Sequence, residues 1–244
     1  MSTLAYIPAR TGSKGIPQKN FLMLGDKQLY AWSIDSAAEN EMVDRIAVSI
    51  DMPPMQDPAW RVNDKPIHFH ERKPEHATDE AQIEPGMIDC LEWMRMRDGY
   101  KPEFVALLQP TSPFRPTAMI DQAVELLLET GADSIVAAYR VHPYLWESHL
   151  AIGWQPNYNP IARQNRNDQP TILQESGSLH LTRRDMLIDT ECRCAGRVEI
   201  LEHGPEFGLE IDEPYDLWLA EQRIAYEGPE AREAVSRETI GGPE

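Results

Sequence analysis

Three cations and two glycines lie close together near the start of the chain. The segment over residues 7–20 reads IPARTGSKGIPQKN, and its cations are Arg10, Lys14 and Lys19. Gly12 and Gly15 permit tight turns in which backbone amides come close to a ligand. A loop of amides and cations that follows a buried strand can hold a polyphosphate. Because the spacing matches neither the Walker loop nor the dinucleotide fingerprint, we interpret the segment as another kind of phosphate-binding loop. A surface loop with solvated lysines is the alternative.

A pair of carboxylates near the other end of the chain offers the opposite charge. Glu210 and Asp212 stand two residues apart in the segment GLEIDEPYD, which we predict to be the end of a strand followed by a helix. Residues two apart on a strand point to the same side, and two such carboxylates repel unless a cation lies between them. Mg²⁺ binds one or two carboxylates together with phosphate oxygens, so the pair is a candidate magnesium site. Alternatively, Asp212 caps the helix that begins near Pro214.

The overall charge of the chain excludes one class of partner. With 23 Lys and Arg residues against 40 Asp and Glu residues, the formal net charge is −17. A chain this acidic has no general basic field, and we predict no nucleic-acid partner. An anionic ligand must therefore be held by local basic residues, which favours a binding role for residues 7–20.

The composition also favours the cytoplasm. No run of about 18 apolar residues could span a bilayer, and the first residues, MSTLAYIPAR, are typical of a strand and not of a secretion signal. The three cysteines are Cys90, Cys192 and Cys194. A low and odd number of cysteines argues against a disulfide framework. We therefore predict a cytoplasmic protein with no membrane partner.

Alternating strands and helices are predicted to position these residues. Strand patterns cover residues 4–7, 45–51, 66–70, 104–108, 134–139 and 172–182. Helical patterns cover residues 29–40 and 80–97 and begin again at Pro116 and near Pro214. This alternation predicts an α/β fold with a mostly parallel twisted sheet and helices on both faces. Ligands bind such sheets beyond the carboxyl ends of the strands. We therefore expect the site in the loops that follow Ile7, Asp51, Leu108 and Ile211.

Two stretches depart from this alternation. Residues 141–174 are long, aromatic and irregular, as functional or covering loops usually are. Residues 227–244 form an acidic tail rich in Glu, Pro and Gly, which we predict to be disordered. The helix before the tail is predicted to bury Leu217, Trp218 and Ile224. We expect one domain over residues 1–226, with residues 141–174 as an irregular excursion from it.

Several of these segments resemble the signatures of one enzyme family, the acylneuraminate cytidylyltransferases or CMP-sialic acid synthetases. That family carries the run A-R-x-x-S-K-G-x-x-x-K-N after its first strand, and the matching residues here are Arg10, Ser13, Lys14, Gly15, Lys19 and Asn20. Residues 107–115, LLQPTSPFR, are similar to a second signature of the family. Weaker matches follow in the family's order at residues 45–51, at Arg72 with Ala77-Thr78-Asp79, and at residues 208–216.

The resemblance, which spans roughly residues 3–225, implies a Rossmann-like nucleotidyltransferase. In the implied reaction, the anomeric hydroxyl of a nonulosonic acid, an acidic nine-carbon α-keto sugar, attacks the α-phosphorus of CTP and pyrophosphate leaves. The resemblance implies that the catalytic residues are Arg10, Lys14, Lys19 and Asp212. It implies that the nucleotide is bound by Arg10, Gly12, Ser13, Lys14, Asn20, Asp51, Arg72 and Thr78. It implies that Gln109, Arg166 and Ser176 bind the sugar, and that Asp212 and Glu210 hold Mg²⁺. The group that accepts the hydroxyl proton is left open.

Three departures from the family pattern bear on the sugar and the metal. No Lys follows closely after the pair His142-Pro143, and Ser176 stands in place of an Asn. These two departures leave open which nonulosonic acid is the substrate, and a legionaminic or pseudaminic type is among the alternatives. Glu210 stands in place of an Asp, which lengthens one metal ligand by a methylene. In the family, the stretch that matches residues 141–170 reaches into a partner subunit, so the resemblance also implies a homodimer.

Three other functions stay open at this stage. A cytidylyltransferase for the eight-carbon sugar Kdo has a similar first loop but lacks this form of LLQPTSPFR. A catalytically silent nucleotide-binding homologue is disfavoured by the intact set Arg10, Lys14, Lys19, Gln109 and Asp212. A reductase-type nucleotide binder is disfavoured because the chain has no G-x-G-x-x-G fingerprint.

Overall fold

Twelve strands and five α-helices make up the described part of the computed structural model, which comprises residues 1–52, 61–116, 118–165, 168 and 172–227. The strands are β1 Thr3–Ala9, β2 Met23–Leu24, β3 Lys27–Gln28, β4 Val43–Ile50, β5 Arg61–Val62, β6 Lys65–Glu71, β7 Phe104–Leu107, β8 Ser134–Val141, β9 Trp146–His149, β10 Gly153–Pro156, β11 Ile172–Arg183 and β12 Val198–His203. The helices are α1 Leu29–Glu39, α2 Glu84–Asp98, α3 Met119–Thr130, α4 Arg184–Thr190 and α5 Pro214–Glu227.

Eight of the strands form one sheet in the order β12-β8-β11-β7-β1-β4-β6-β5. β1 runs parallel to β4 and β7, β4 is parallel to β6, and β8 is parallel to β12. β11 is antiparallel to both of its neighbours, β7 and β8. The prediction of a mostly parallel sheet is confirmed. The alternation of elements gave no sign that β11 would be inserted in the opposite direction.

Helices cover both faces of the sheet, as predicted. On one face, α1 and α3 pack against strand residues such as Ile7 and Val48. On the other face, α2 and α4 pack against residues such as Leu4 and Leu107. Each fully buried aliphatic side chain contributes about 1.5–3 kcal/mol through the area it removes from water. Ile120, Val124 and Leu127 form a fully buried stripe along α3.

The burial predicted for the last helix is partly wrong. Trp218 is 50% exposed and stacks on Tyr215 at a ring-centroid distance of 5.8 Å. Leu217 and Ile224 are only partly buried. The reason is that α5 does not lie on the large sheet but on a small cluster around the β2–β3 hairpin, so its buried stripe is narrow and centred on Ala220.

The stretch without a clear pattern contains a two-stranded antiparallel sheet of β9 and β10. This hairpin exposes Trp146 and Trp154 at 51% and 65% of their surface. Glu227, which we assigned to the tail, is the last residue of α5. Residues 228–244, and Arg166 within the stretch, lie outside the described residues.

Within the ranges given above, no helix combines the length and the apolar character needed to cross a membrane. Cys90, Cys192 and Cys194 are free thiols.

Candidate active site

The loop after β1 is held in shape by hydrogen bonds to its neighbours. The backbone amide and the hydroxyl of Thr11 donate to the carboxylate of Asp51 at 2.8 and 2.9 Å. The buried side-chain amide of Asn20 donates to the carbonyl oxygen of Arg10 at 2.9 Å. Asp51 reaches this loop because β1 and β4 are parallel neighbours that end at the same edge of the sheet. In this structure, Asp51 and Asn20 therefore set the shape of the loop.

Arg10 is fixed by the segment that follows β6. Its Nη1 atom donates to the carbonyl oxygen of Thr78 at 2.8 Å and to the carboxylate of Asp79 at 2.9 Å. Lys14 is much freer, since its side chain is 71% exposed and its ammonium lies 3.8 Å from Asp79. Surface pairs of this kind contribute little to stability. Lys14 can therefore turn toward a bound anion at small cost.

Lys19 and Asp212 form an ion pair between the first loop and the segment before α5. The ammonium of Lys19 lies 2.6 Å from Oδ1 of Asp212. A methyl group added at Gly15 would collide with the carbonyl oxygen of Asp212. Only glycine therefore lets the two segments approach this closely. The Asp212 carboxylate accepts from Lys19, whereas the Asp216 carboxylate accepts hydrogen bonds from the backbone amides of Asp212 and Glu213 at the start of α5.

Glu210 lies deeper than Asp212. Its carboxylate accepts a hydrogen bond from the backbone amide of Gly177 in β11. Burial raises the pKa of Glu210, the Gly177 amide opposes that rise, and the negative charges of Asp212 and Glu175 add to it. The segment around Glu210 and Asp212 is not a strand, contrary to our prediction. The two carboxylates nevertheless face the same space.

The pair suits a divalent cation on chemical grounds. No group of three or more metal-binding side chains occurs among the residues described. Mg²⁺ needs no such group, because it binds one or two carboxylates and completes its shell with phosphate oxygens and water. A cation between Glu210 and Asp212 would also relieve the repulsion that contributes to the raised pKa of Glu210.

The second signature segment is anchored from below by a buried arginine. Arg115 donates to the carbonyl oxygen of Gln109 at 3.2 Å, to the hydroxyl of Ser33 at 3.3 Å and to the carbonyl oxygen of Ser178. Burial lowers the pKa of Arg115 to about 9, which still leaves it charged at neutral pH. Its partners tie residues 109–115 to α1 and β11, and so fix the side of the cavity that carries Gln109.

Gly177 is a residue that the sequence did not single out for function. A methyl group there would lie 2.8 Å from both Glu210 Oε1 and Ser112 Oγ, and 3.1 Å from Gln109 Nε2. Glycine is therefore required where β11 passes beneath the site. The one signal in the sequence was the Asn-Gly pair of the family. This chain has the Gly of that pair but carries Ser176 in place of the Asn.

Arg72 closes the floor of the site and is 5% exposed. Its backbone amide donates to the carbonyl oxygen of Ile50 at 2.7 Å, which continues the pairing of β4 with β6. Its Nη2 atom donates to the hydroxyl of Tyr6 at 3.3 Å. Arg72 Nε is buried beside Gly86 and has no partner in the described part of the chain.

These groups surround a single cavity of about 400 Å³ at the carboxyl end of the sheet. The predicted site residues in its wall are Arg10, Ser13, Lys14, Lys19, Asn20, Arg72, Thr78, Gln109, Glu210 and Asp212, and Gly15 lies beside them. Cations thus face the carboxylate pair across the cavity. The predicted loops after Ile7, Leu108 and Ile211 contribute to this wall, whereas most of the loop after Asp51 lies outside the described residues.

Three predicted residues are placed elsewhere. Gly12 and Asp51 do not contribute to the cavity wall. Ser176 is buried, and its hydroxyl lies 2.8 Å from Nε2 of His203 and 3.4 Å from the carbonyl oxygen of Ala137. Arg166, the predicted carboxylate ligand, lies outside the described residues.

Comparison with known families decides what kind of protein carries this cavity. The model of the cytidylyltransferase family matches residues 4–160, which contain the first loop, Arg72 and the second signature. The chain belongs to the cytidylyltransferase family. The cavity of this cytidylyltransferase is therefore the place to look for its nucleotide.

Individual relatives agree with the family. The chain is 31% identical to N-acylneuraminate cytidylyltransferase A of Danio rerio over 238 residues, which cover 95% of this chain and 53% of that protein. It is 29% identical to the N-acylneuraminate cytidylyltransferase of Streptococcus agalactiae over 217 residues, covering 87% of this chain and 51% of that protein. The chain thus spans about half the length of the curated relatives it matches.

Two solved structures share the fold of this chain. The structure of CMP:2-keto-3-deoxy-manno-octonic acid synthetase complexed with CTP superposes with a TM-score of 0.66 at 14% identity, covering 93% of this chain and 100% of that one. The 4-diphosphocytidyl-2C-methyl-D-erythritol synthase of Anaerococcus prevotii superposes with a TM-score of 0.62 at 12% identity, covering 91% and 96%. At such low identity the likeness concerns the fold alone.

Proposed function

We propose that this cytidylyltransferase transfers CMP from CTP to the anomeric hydroxyl of a nonulosonic acid and releases pyrophosphate. The observation that carries the proposal is the cavity itself. Its cationic loop, Arg10 to Lys19, faces the carboxylates of Glu210 and Asp212 at the carboxyl end of the sheet. Such a pairing of cations and a divalent-ion site suits a nucleoside triphosphate. The N-acylneuraminate cytidylyltransferases among its relatives support the choice of acceptor.

Phosphoryl transfer needs alignment and charge neutralisation more than covalent help from the protein. Arg10 is held rigidly by residues 77–79 and is suited to fix the triphosphate. Lys14 is free to follow the phosphates, with the amides around Ser13 beside it. Lys19 would break its ion pair with Asp212 and bind the leaving pyrophosphate. Its positive charge would then lie beside the oxygens on which negative charge develops.

Magnesium is the proposed cofactor, held by Asp212 and Glu210. When bound, it neutralises charge on the phosphate oxygens. The protein's contribution is to keep two carboxylates at one wall of the cavity: Gly177 orients Glu210 through its amide, and Lys19 orients Asp212. Removal of divalent ions with EDTA should therefore abolish turnover.

The acceptor sugar is proposed to lie toward Gln109, which lines the cavity next to the carboxylate pair. Arg166 is proposed to bind the sugar carboxylate, because a guanidinium pairs with a carboxylate through two parallel hydrogen bonds. Ser176 is proposed to contact the sugar, which would require its hydroxyl to leave His203. We propose that residues 1–226 form the catalytic domain.

A homodimer and a cytoplasmic location complete the proposal. Support for the dimer comes from the β9–β10 hairpin, whose exposed apolar side chains include Trp146, Leu150, Ile152 and Trp154. Contiguous exposed apolar side chains are a common mark of protein interfaces. The three free thiols are in keeping with a reducing compartment.

A substrate screen tests the proposed function. The protein is incubated with CTP, Mg²⁺ and a panel of nonulosonic acids, with Kdo as the competing acceptor, and pyrophosphate is measured. We expect release with at least one nonulosonic acid and little with Kdo. Pyrophosphate release with Kdo alone would show that the acceptor is Kdo and not a nonulosonic acid. CTP binding without any pyrophosphate release would indicate a catalytically silent homologue. A preference for NAD(P) over CTP would reject the proposal altogether.

A further inference from the structure

A chain of buried side chains leads away from Arg72 on the face of the sheet that α2 covers. Arg72 Nη2 lies 3.3 Å from the hydroxyl of Tyr6, which is fully buried. Ser49 of β4 is the next polar side chain beside the Tyr6 hydroxyl. Ser49 Oγ lies 3.1 Å from Nδ1 of His70, and Nε2 of His70 lies 3.3 Å from the carboxylate of Asp89 in α2. The chain therefore runs from the nucleotide cavity to the surface.

A guanidinium can only donate, so the oxygen of Tyr6 accepts from Arg72. At the other end of the chain, an imidazole that carries its proton on Nε2 accepts at Nδ1 from the hydroxyl of Ser49 and presents that proton to Asp89 at 3.3 Å. The chain thus runs in one direction, from the cation of Arg72 to the anion of Asp89.

This direction requires a neutral imidazole and a protonated phenol, and both are favoured by burial. Burial lowers the pKa of His70, Arg72 and Lys73 add to that effect, and Asp89 opposes it. Burial raises the pKa of Tyr6 to about 12, against the opposing charge of Arg72. At neutral pH each group thus holds its proton where the chain needs it.

The first turn of α2 closes on the same pair. A methyl group added at Gly86 would lie 3.0 Å from the hydroxyl of Tyr6 and 3.1 Å from Nη2 of Arg72. Both distances are shorter than ordinary van der Waals contact, so a larger residue there would displace the two groups. The Arg72 guanidinium is therefore held between a fixed phenol and a helix backbone, while its Nε lacks a partner among the described residues.

We propose that Tyr6, Ser49, His70 and Asp89 are positioning residues that fix the guanidinium of Arg72 for the nucleotide. The inference rests on the proposed function, because it takes Arg72 to bind CTP. None of the four side chains needs to touch substrate. Their role is to restrict the Arg72 side chain to one orientation. Its remaining donors then face the acceptor groups of the base before binding, and less conformational entropy is lost when CTP binds.

Calorimetric titration of CTP in the presence of Mg²⁺ tests this proposal. Tyr6→Phe removes the acceptor of Arg72 and keeps the ring, and it should raise the Kd for CTP about tenfold. The KM for CTP should rise in parallel, with kcat and the KM for the sugar changed less than about twofold. Asp89→Asn, at the outer end of the chain, should give a smaller rise of about threefold. Tyr100→Phe is the matched control, since its buried hydroxyl has no partner in the described structure, and it should leave the Kd unchanged.

A double-mutant cycle separates positioning from simple loss of packing. If the chain acts as one unit, Ser49→Ala should add little to the Kd once Tyr6→Phe is present, because the relay is already broken. Full additivity of the two changes would overturn the proposal, as would a Tyr6→Phe variant that binds CTP like the wild type. If Tyr6→Phe does not fold, Asp89→Asn with a wild-type Kd would overturn it equally. A wild-type protein that fails to bind CTP would instead overturn the proposed function, and this inference with it.

Discussion

The ammonium of Lys19 lies 2.6 Å from a carboxylate oxygen of Asp212, so that one ion pair joins the loop after β1 to the segment before α5. The two residues are 193 positions apart in the chain. The side chain of Lys19 is 12% exposed and that of Asp212 is 64% exposed. A phosphate and a divalent cation that enter together can replace this single pair by two, with the ammonium on the phosphate and the carboxylate on the cation. The pair is therefore a resting arrangement that a Mg²⁺–triphosphate complex can open.

Asp212→Asn should lower kcat by at least about 100-fold, because it removes the charge of the proposed metal ligand from a site whose proposed chemistry is mainly electrostatic. Folding should be unaffected, since Asp212 is exposed and its carboxylate supports no backbone amide. Pyrophosphate release at saturating CTP measures the effect. Asp185→Asn, the same change at a side chain that is 76% exposed, serves as the control. Near-normal turnover of Asp212→Asn would remove this residue from the metal site.

Glu210→Gln should make the protein more stable and less active. The raised pKa of Glu210 means that its ionised form is disfavoured in the folded state, so neutralising it stabilises the fold at any pH above that pKa. Solvent screens the carboxylate in part, so we expect an increase in Tm of roughly 1–2 °C at pH 8 without metal. The gain should fade as the pH falls toward the ordinary value of a glutamic acid, about 4.3. A lower Tm at pH 8 would contradict this account.

Gly15→Ala should weaken CTP binding, because the new methyl group meets the carbonyl oxygen of Asp212 and pushes the first loop from the carboxylates. We expect a rise of about tenfold in the KM for CTP, which corresponds to about 1.4 kcal/mol. The same change at Gly12 meets its nearest heavy atom only at 4.0 Å and should cost less. Steady-state kinetics of both variants test the difference. Equal losses at the two glycines would show that the close approach at Gly15 is unimportant.

Arg115→Met should destabilise the protein by about 2–3 kcal/mol, because it removes the side-chain donor of the Ser178 carbonyl oxygen in a buried place and one of the donors of the Gln109 carbonyl oxygen. Urea unfolding followed by circular dichroism measures this change. Arg95→Met is the control, since Arg95 is exposed and pairs only with Glu92, its neighbour on α2. Its effect should stay within about 0.5 kcal/mol. Similar losses for both variants would show that the anchoring of residues 109–115 is not special.

The cationic loop could be predicted from the sequence because its parts are contiguous. Arg10, Lys14 and Lys19 lie in one short segment after a short apolar run, and the rule that sheets bind ligands beyond the carboxyl ends of their strands gave their position. The facing carboxylates were found for the same reason, as a local pair. That the two segments meet does not follow from the strand order, because the segment of Glu210 and Asp212 is not a strand.

Other parts of the site depend on pairings that no local pattern reveals. Gly177 lies under Gln109 only because β11 enters the sheet in the antiparallel direction, with an irregular register between Glu175 and His180. The anchoring role of Arg115 depends on the same insertion, since one of its acceptors is in β11. The exposure of Trp218 likewise follows from where α5 lies, which its helical period does not determine. The hydrophobic period and the residue spacing of a sequence predict its secondary-structure elements and loops. The contacts described here depend in addition on how the strands pair and where the helices pack in three dimensions.

The most direct test of the central claim is a crystal structure of the protein with CTP and Mn²⁺, in which anomalous scattering locates the metal. We predict that the triphosphate lies against Arg10, Lys14 and Lys19, with the ion between the phosphates and the carboxylates of Glu210 and Asp212. The ion pair of Lys19 with Asp212 should then be open. Nucleotide bound elsewhere, or an anomalous peak away from both carboxylates, would contradict the account.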